Sequence, residues 1–266
     1  MDTADGREQS LSHSSAHTAE RLERLKLMIA YDGRPFSGWQ SQPSRNGVQD
    51  HLKNAFYQIL KQSVKLHGAG RTDAGVHALA QVAHADVPYH RYPPHTWTAA
   101  LNAHLPGEIR ILKSGGVGGD FHAQYSATGK VYMYRIWNNP IHHPLEIGRS
   151  WHIAQPVDLD ALESVRTRLI GTHDFASFAA NRGRLDDTIR TIHQIEITRR
   201  RELLTLRFAA NGFLYRMVRM LTGSMTKVAA GGKPMEWIDE LLNEPGKQKT
   251  NFLAPAEGLY LFKVLY

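Results

Sequence analysis

The residues of this chain best suited to chemistry sit in one short stretch, GAGRTDAGVH, from Gly68 to His77. Three glycines and two alanines leave its backbone almost bare, and Arg71, Thr72 and Asp73 are set into that bareness. Glycine is favoured where the chain takes positive φ or lets a backbone or ligand come close. A glycine-rich turn between apolar segments that displays a carboxylate beside a guanidinium can serve catalysis, or it can be a tight loop with a surface ion pair. A carboxylate held near a guanidinium stays ionised at neutral pH. It then acts as a nucleophile or an electrostatic stabiliser rather than as a general acid. Nucleophilic carboxylates work in sugar chemistry, where they capture an oxocarbenium-like centre.

Other chemistries find less support. The stretch superficially matches the dinucleotide fingerprint G-x-G-x-x-G, but Asp73 stands at its third glycine and would repel a pyrophosphate. No phosphate-binding G-x-x-x-x-G-K-[ST], no G-x-S-x-G and no H-E-x-x-H occurs. With no cysteine there is no disulfide, thiol nucleophile or cysteine metal site. Of the 15 histidines, about five lie in the tail or flanking loops without ligand spacing, and His142-His143 is a loop pair, so no metal is expected.

The formal charge of +7 points to a polyanionic partner. Between Arg166 and Arg219 there are eleven arginines against five acidic residues, and no lysine. Arginine matches phosphate with a planar fork and stacks on bases. A basic protein with a nucleophilic carboxylate and nearby aromatics suggests work on a glycosidic bond in a nucleic acid. No apolar run approaches the roughly 20 residues that span a bilayer, and no signal-peptide pattern opens the chain, so a cytoplasmic location without membrane contact is expected.

The elements that must position these groups are legible as patterns. Residues 1–22 are too polar to pack and are expected to form a disordered tail. An alternating strand comes next from residue 24, then a loop with Phe36 and Trp39, which could stack on bases or anchor the loop. Residues 48–60 carry a one-sided apolar stripe and predict a helix. A second helix is predicted at 94–104, a short strand at 109–113, and a flexible link at the GGVGG of residues 115–119. Beyond it come a strand at 130–137, a helix capped by Asp158 and running to about 170, and a strand pair at 189–198 and 202–209. Helices at 212–230 and 234–242 and a strand at 258–266 close the chain. The fold class is therefore α+β. Two similar half-domains, 23–118 and 119–266, each set helices on one face of an antiparallel-rich sheet, with an active-site cleft between them.

The motifs resemble those of the TruA family of tRNA pseudouridine synthases from about residue 25 to residue 266. The resemblance rests on Ala30-Tyr31-Asp32-Gly33, Gly38-Trp39-Gln40, the Gly68–Ala78 loop, Phe121-His122-Ala123, Tyr132 with Tyr134, His173-Asp174-Phe175, Gly212-Phe213-Leu214 with Met217-Val218-Arg219, and Gly258 to Leu261. It implies isomerisation of uridine to pseudouridine in the anticodon stem-loop of tRNA, at positions 38, 39 and 40, by a homodimer with no metal or organic cofactor. Asp73 falls on the family's catalytic aspartate, and Arg219 on the arginine that pairs with it. Tyr132 falls on the tyrosine that stacks on the target base and is a candidate for proton transfer. Arg71 falls on an arginine of base flipping and RNA binding, and Leu259 on an apolar residue of the pocket wall. A paired base must leave the stack to be turned, which calls for a pocket with a stacking face. Two departures are mild: Ala80 stands where glycine is common and Lys130 where arginine is common. A non-catalytic RNA-binding module would be expected to have lost Asp73, Tyr132 or Arg219, and a hydrolytic glycosylase needs a second acid or base that does not stand out.

Overall fold

The structure is a computed structural model, described for residues 21–89, 91–180 and 187–266. Of the expected tail, residues 1–20 lie outside the described residues, as do Arg182 and Arg184 of the arginine-rich stretch. Leu22 is already part of the sheet, paired with Pro88.

The first half contains β1 (Leu22–Tyr31), α1 (Val48–Leu60), β2 (Leu66–Gly68), β3 (His77–Pro88), α2 (Trp97–Asn102) and β4 (Ile109–Val117). The second contains β5 (Gly129–Asn138), β6 (Trp151–Ile153), α3 (Leu159–Leu169), β7 (Gly171–Asp174), β8 (Ile189–Arg200), β9 (Leu203–Ala210), α4 (Met217–Ala229), α5 (Glu236–Asn243) and β10 (Leu259–Leu265). The strands form one sheet in the order β4-β1-β3-β10-β5-β9-β8-β7, with β2 on β3 and β6 on β5. The two halves thus share a sheet. Their seam is β10, antiparallel to β5 and joined to β3 by the parallel pairs Tyr260↔His77 and Leu261↔Ala78.

Hydrophobic patterning explains the helices. Val48, Leu52, Ala55 and Phe56 recur at the helical period and are the buried face of α1. Phe56 meets Trp97 of α2 with ring centroids 5.5 Å apart. In α3 the predicted cap is present: Asp158 Oδ1 accepts from the backbone N–H groups of Asp160 and Ala161 at 2.9 and 3.1 Å. α4 is buried almost throughout.

Three expectations change. The GGVGG stretch is no flexible link: Gly115 and Gly116 are strand residues of β4 facing Lys26 and Leu25 of β1. Arg24 ties down the residues after the strand, donating through Nη1 to the carbonyls of Gly119 and Phe121 at 2.5 and 2.9 Å. Backbone partners on a neighbouring strand outweigh the entropy of the glycines. The helix predicted at 212–230 begins only at Met217, because Arg216 takes a left-handed φ of 62° and breaks the helical path before it. The helix predicted at 94–104 shrinks to α2, with turns on either side.

Candidate active site

The Gly68–His77 loop connects β2 to β3, which pair antiparallel, Leu66 facing Ala85 and Gly68 facing Ala83. Several polar groups around the loop hold it in place. Gln81, wholly buried, donates from Nε2 to the carbonyl of Gly70 at 2.8 Å. The hydroxyls of Thr72 and Tyr31 share a hydrogen bond of 2.8 Å, and burial pushes the Tyr31 phenol up to about 12. The backbone N–H of Trp39 donates to the Thr72 carbonyl at 3.1 Å. That approach needs a glycine beside it: Gly38 has φ +97°, and a Cβ there would sit 2.5 Å from Thr72 O. Phe36 and Trp39 are both buried, so they anchor the loop, although Trp39 also lines the cleft.

The loop exit is held by His77. Its Nδ1 accepts from the Gly33 N–H at 3.1 Å, which leaves Nε2 to donate to the Gly148 carbonyl at 3.1 Å. This fixes a neutral tautomer. Burial holds its pKa below the usual histidine value, against the opposing pull of Asp32. Its ring stacks on Tyr260 of β10, with centroids 4.5 Å apart.

Asp73 is thereby presented to a cleft of about 1210 Å³. Arg219, in the first turn of α4, donates from Nη1 to Asp73 Oδ2 at 2.8 Å. The two side chains are 11% and 20% exposed, so the pair is largely withdrawn from solvent. Arg219 Nε donates to Ala254 O at 2.8 Å, and the Ala254 N–H returns a bond to Arg219 O at 3.1 Å. A second cation, Arg216, lies with Nε 3.7 Å from the same Oδ2. Among the described residues no donor meets Asp73 Oδ1. One oxygen is held by cations and the other is left for the cleft.

Tyr132 lines the cleft from β5 and is 8% exposed. It meets Phe213 edge to face, centroids 5.1 Å apart and planes at 87°. Burial raises its pKa far above the ordinary phenol value, with Tyr31 and Asp73 adding to the effect, so the hydroxyl is protonated at neutral pH. Leu259 of β10 is buried in the cleft wall. Arg71 is exposed at the cleft and has no ion pair among the described residues. All five candidate residues therefore border one cleft, and the partner of Asp73 is Arg219, not Arg71. Sequence reasoning missed Arg216 and Phe213 as parts of this wall. Arg216 lies three residues before Arg219, but its left-handed φ puts it outside the helix, so no helical spacing pointed to it.

Among the described residues no group of three or more His, Asp or Glu side chains could hold a metal ion, and no helix is long and apolar enough to cross a membrane.

A family model described as tRNA pseudouridine synthase matches residues 27–126 and 166–266. The chain belongs to this family. Its matches include the tRNA pseudouridine synthase A of Akkermansia muciniphila, 44% identical over 253 residues that cover 92% of this chain and 96% of the relative. The tRNA pseudouridine synthase A of Limosilactobacillus reuteri is 39% identical over 250 residues, covering 92% and 97%. Among solved structures, a Cbf5-Nop10-Gar1 complex aligns with 76% of this chain and 44% of that one, at 13% identity and a TM-score of 0.37. A tRNA pseudouridine synthase is an isomerase that converts uridine to pseudouridine. The α+β architecture is the scaffold on which this one does so.

Proposed function

We propose that this synthase acts on the anticodon stem-loop of tRNA, at positions 38, 39 and 40, with Asp73 as the nucleophile. The observation that carries the reading is the asymmetry of Asp73: Oδ2 is held by Arg219 while Oδ1 has no donor among the described residues. A carboxylate so arranged has a cation on one oxygen and the other free to attack.

The reaction needs no atoms from outside. Oδ1 adds to C1′ of the ribose or to C6 of the uracil, and the N1–C1′ bond breaks. The base turns, C5 joins C1′, the proton leaves C5, N1 gains a proton, and Asp73 is released. The edge-to-face pair of Tyr132 and Phe213 offers a surface for the displaced base, and the protonated Tyr132 hydroxyl can donate during proton transfer. Leu259 supplies an apolar wall, which keeps water from a carbon centre that would otherwise be hydrolysed. Arg71 faces the opening and is suited to fill the space that a flipped base leaves. The arginines of the second half supply attraction to RNA that weakens steeply with salt. The enzyme works as a homodimer in the cytoplasm, without metal or organic cofactor.

The test is position-resolved pseudouridine mapping on tRNA from cells lacking the gene, complemented with wild type or Asp73→Asn. Wild type restores the modification at the anticodon stem-loop and the variant does not. Failure of the wild type to restore it, or restoration by Asp73→Asn, sinks the proposal.

A further inference from the structure

Lys130 is the cation of the cleft that the chemistry above leaves unused. It is the second residue of β5, two before Tyr132, so the two side chains leave the same face of the strand about 6.6 Å apart. Both line the cleft. The lysine stem runs along the catalytic loop: a Cβ on Gly70 would lie 3.1 Å from Lys130 Cε and 3.7 Å from Nζ. Gly70 therefore provides the groove in which this side chain reaches forward.

What the ammonium meets at the end of that groove is incomplete. It has no hydrogen bond or ion pair among the described residues. Asp73 is the one carboxylate lining the cleft among them, and its charge is already met by Arg219 and Arg216. The neighbouring charge is another cation, Arg190; burial first and Arg190 second lower the lysine's pKa. Arg190 itself has a partner in Asp187, with Nη1 3.1 Å from Oδ2. A partly buried ammonium without a counter-charge opposes folding. The missing group is an anion that arrives with the substrate.

We propose that Lys130 binds a backbone phosphate of the RNA strand carrying the target uridine. The inference rests on the reading that the cleft takes a uridine from RNA. A phosphate fits better than a base edge for two reasons. The site lacks a full negative charge, and the ammonium is a point charge without the planar fork that reads a base.

The experiment measures binding of a tRNA anticodon stem-loop across a salt series, with single-turnover pseudouridine formation at saturating RNA alongside. Lys130→Met is expected to weaken binding about tenfold and to reduce the salt slope by about 1, with the saturated rate unchanged. Lys130→Arg restores slope and affinity. Wild type is also tested on stem-loops in which each phosphate flanking the target uridine is replaced in turn by a neutral methylphosphonate. One replacement should weaken wild-type binding as much as Lys130→Met does, and Lys130→Met should lose nothing more from it. That arm stands even where a variant folds poorly. An unchanged salt slope, a lost saturated rate, or indifference of the wild type to every neutral linkage overturns the proposal. A wild type that binds but forms no pseudouridine instead overturns the proposed function, so the two failures are distinguishable.

Discussion

Arg219 holds Asp73 through Nη1 at 2.8 Å while its own Nε is fixed on the carbonyl of Ala254 at 2.8 Å. The guanidinium is thus positioned from the segment that leads into β10, and it delivers that position to the loop between β2 and β3. Removing it leaves a largely buried carboxylate short of its main counter-charge. Arg219→Ala is expected to lower the single-turnover rate at saturating tRNA on the order of a hundredfold, with affinity nearly unchanged. Arg219→Lys recovers part of the rate, because it restores charge but not both bonds. Filter binding and rapid-quench kinetics separate the two effects. A variant that only binds more weakly, with an unchanged rate, counts against the pair.

Arg216 places function against stability. Its φ of 62° is costly for any residue with a Cβ, and its Nε is a buried donor without a hydrogen-bond partner. Arg216→Gly relieves both and is expected to raise stability by about 0.5–1 kcal/mol. It also takes a cation from beside Asp73, so the reaction should slow several-fold. Chemical denaturation and single-turnover assays on the same preparation check both signs.

Gly38 carries the opposite lesson. Gly38→Ala would force a Cβ to within 2.5 Å of the Thr72 carbonyl at φ +97°. A loss of about 2–3 kcal/mol in denaturant unfolding is expected. Activity should fall further than the unfolded fraction explains, because the clamp on the residue next to Asp73 is displaced.

Acid sensitivity is expected from His84. Its Nδ1 accepts from the Ala123 N–H at 3.0 Å, and its ring sits against His67 and His122, with centroids 5.0 and 4.7 Å away. Burial, helped by Arg24, His122 and His67 and opposed by Asp86, pushes its pKa from 6.5 to about 4. Between those values the unfolded chain binds a proton that the folded chain does not. Stability therefore rises with pH across this window and is lost as pH falls through it, by up to about 2–3 kcal/mol. His84→Gln should flatten that part of the profile relative to wild type in urea unfolding at pH 7, 6 and 5.

Much of this architecture was legible because local rules and tertiary packing agree. The stripe of Val48, Leu52, Ala55 and Phe56 and the cap at Asp158 each state an element without help from the rest of the chain. Gly115 and Gly116 read as a link because glycine favours disorder locally, and only the facing residues of β1 make them a strand. The conformation of Arg216 carried no signal, since arginine has no preference for positive φ. Phe36 and Trp39 fitted either a stacking surface or an anchor, and burial decides for the anchor. The pairing of Asp73 with Arg219 has no periodicity to reveal it. The family motifs pointed to it where spacing could not.

The strand β10 has a kinetic consequence. It lies between β3 and β5 in the path of the main sheet, and its pairing with β3 closes one of the largest loops among the described residues. Pairings of such high sequence separation form late. A partly folded molecule would hold Asp73 in its loop with neither arginine beside it. Recovery of activity during refolding should therefore lag behind the return of secondary structure, and would report the docking of β10.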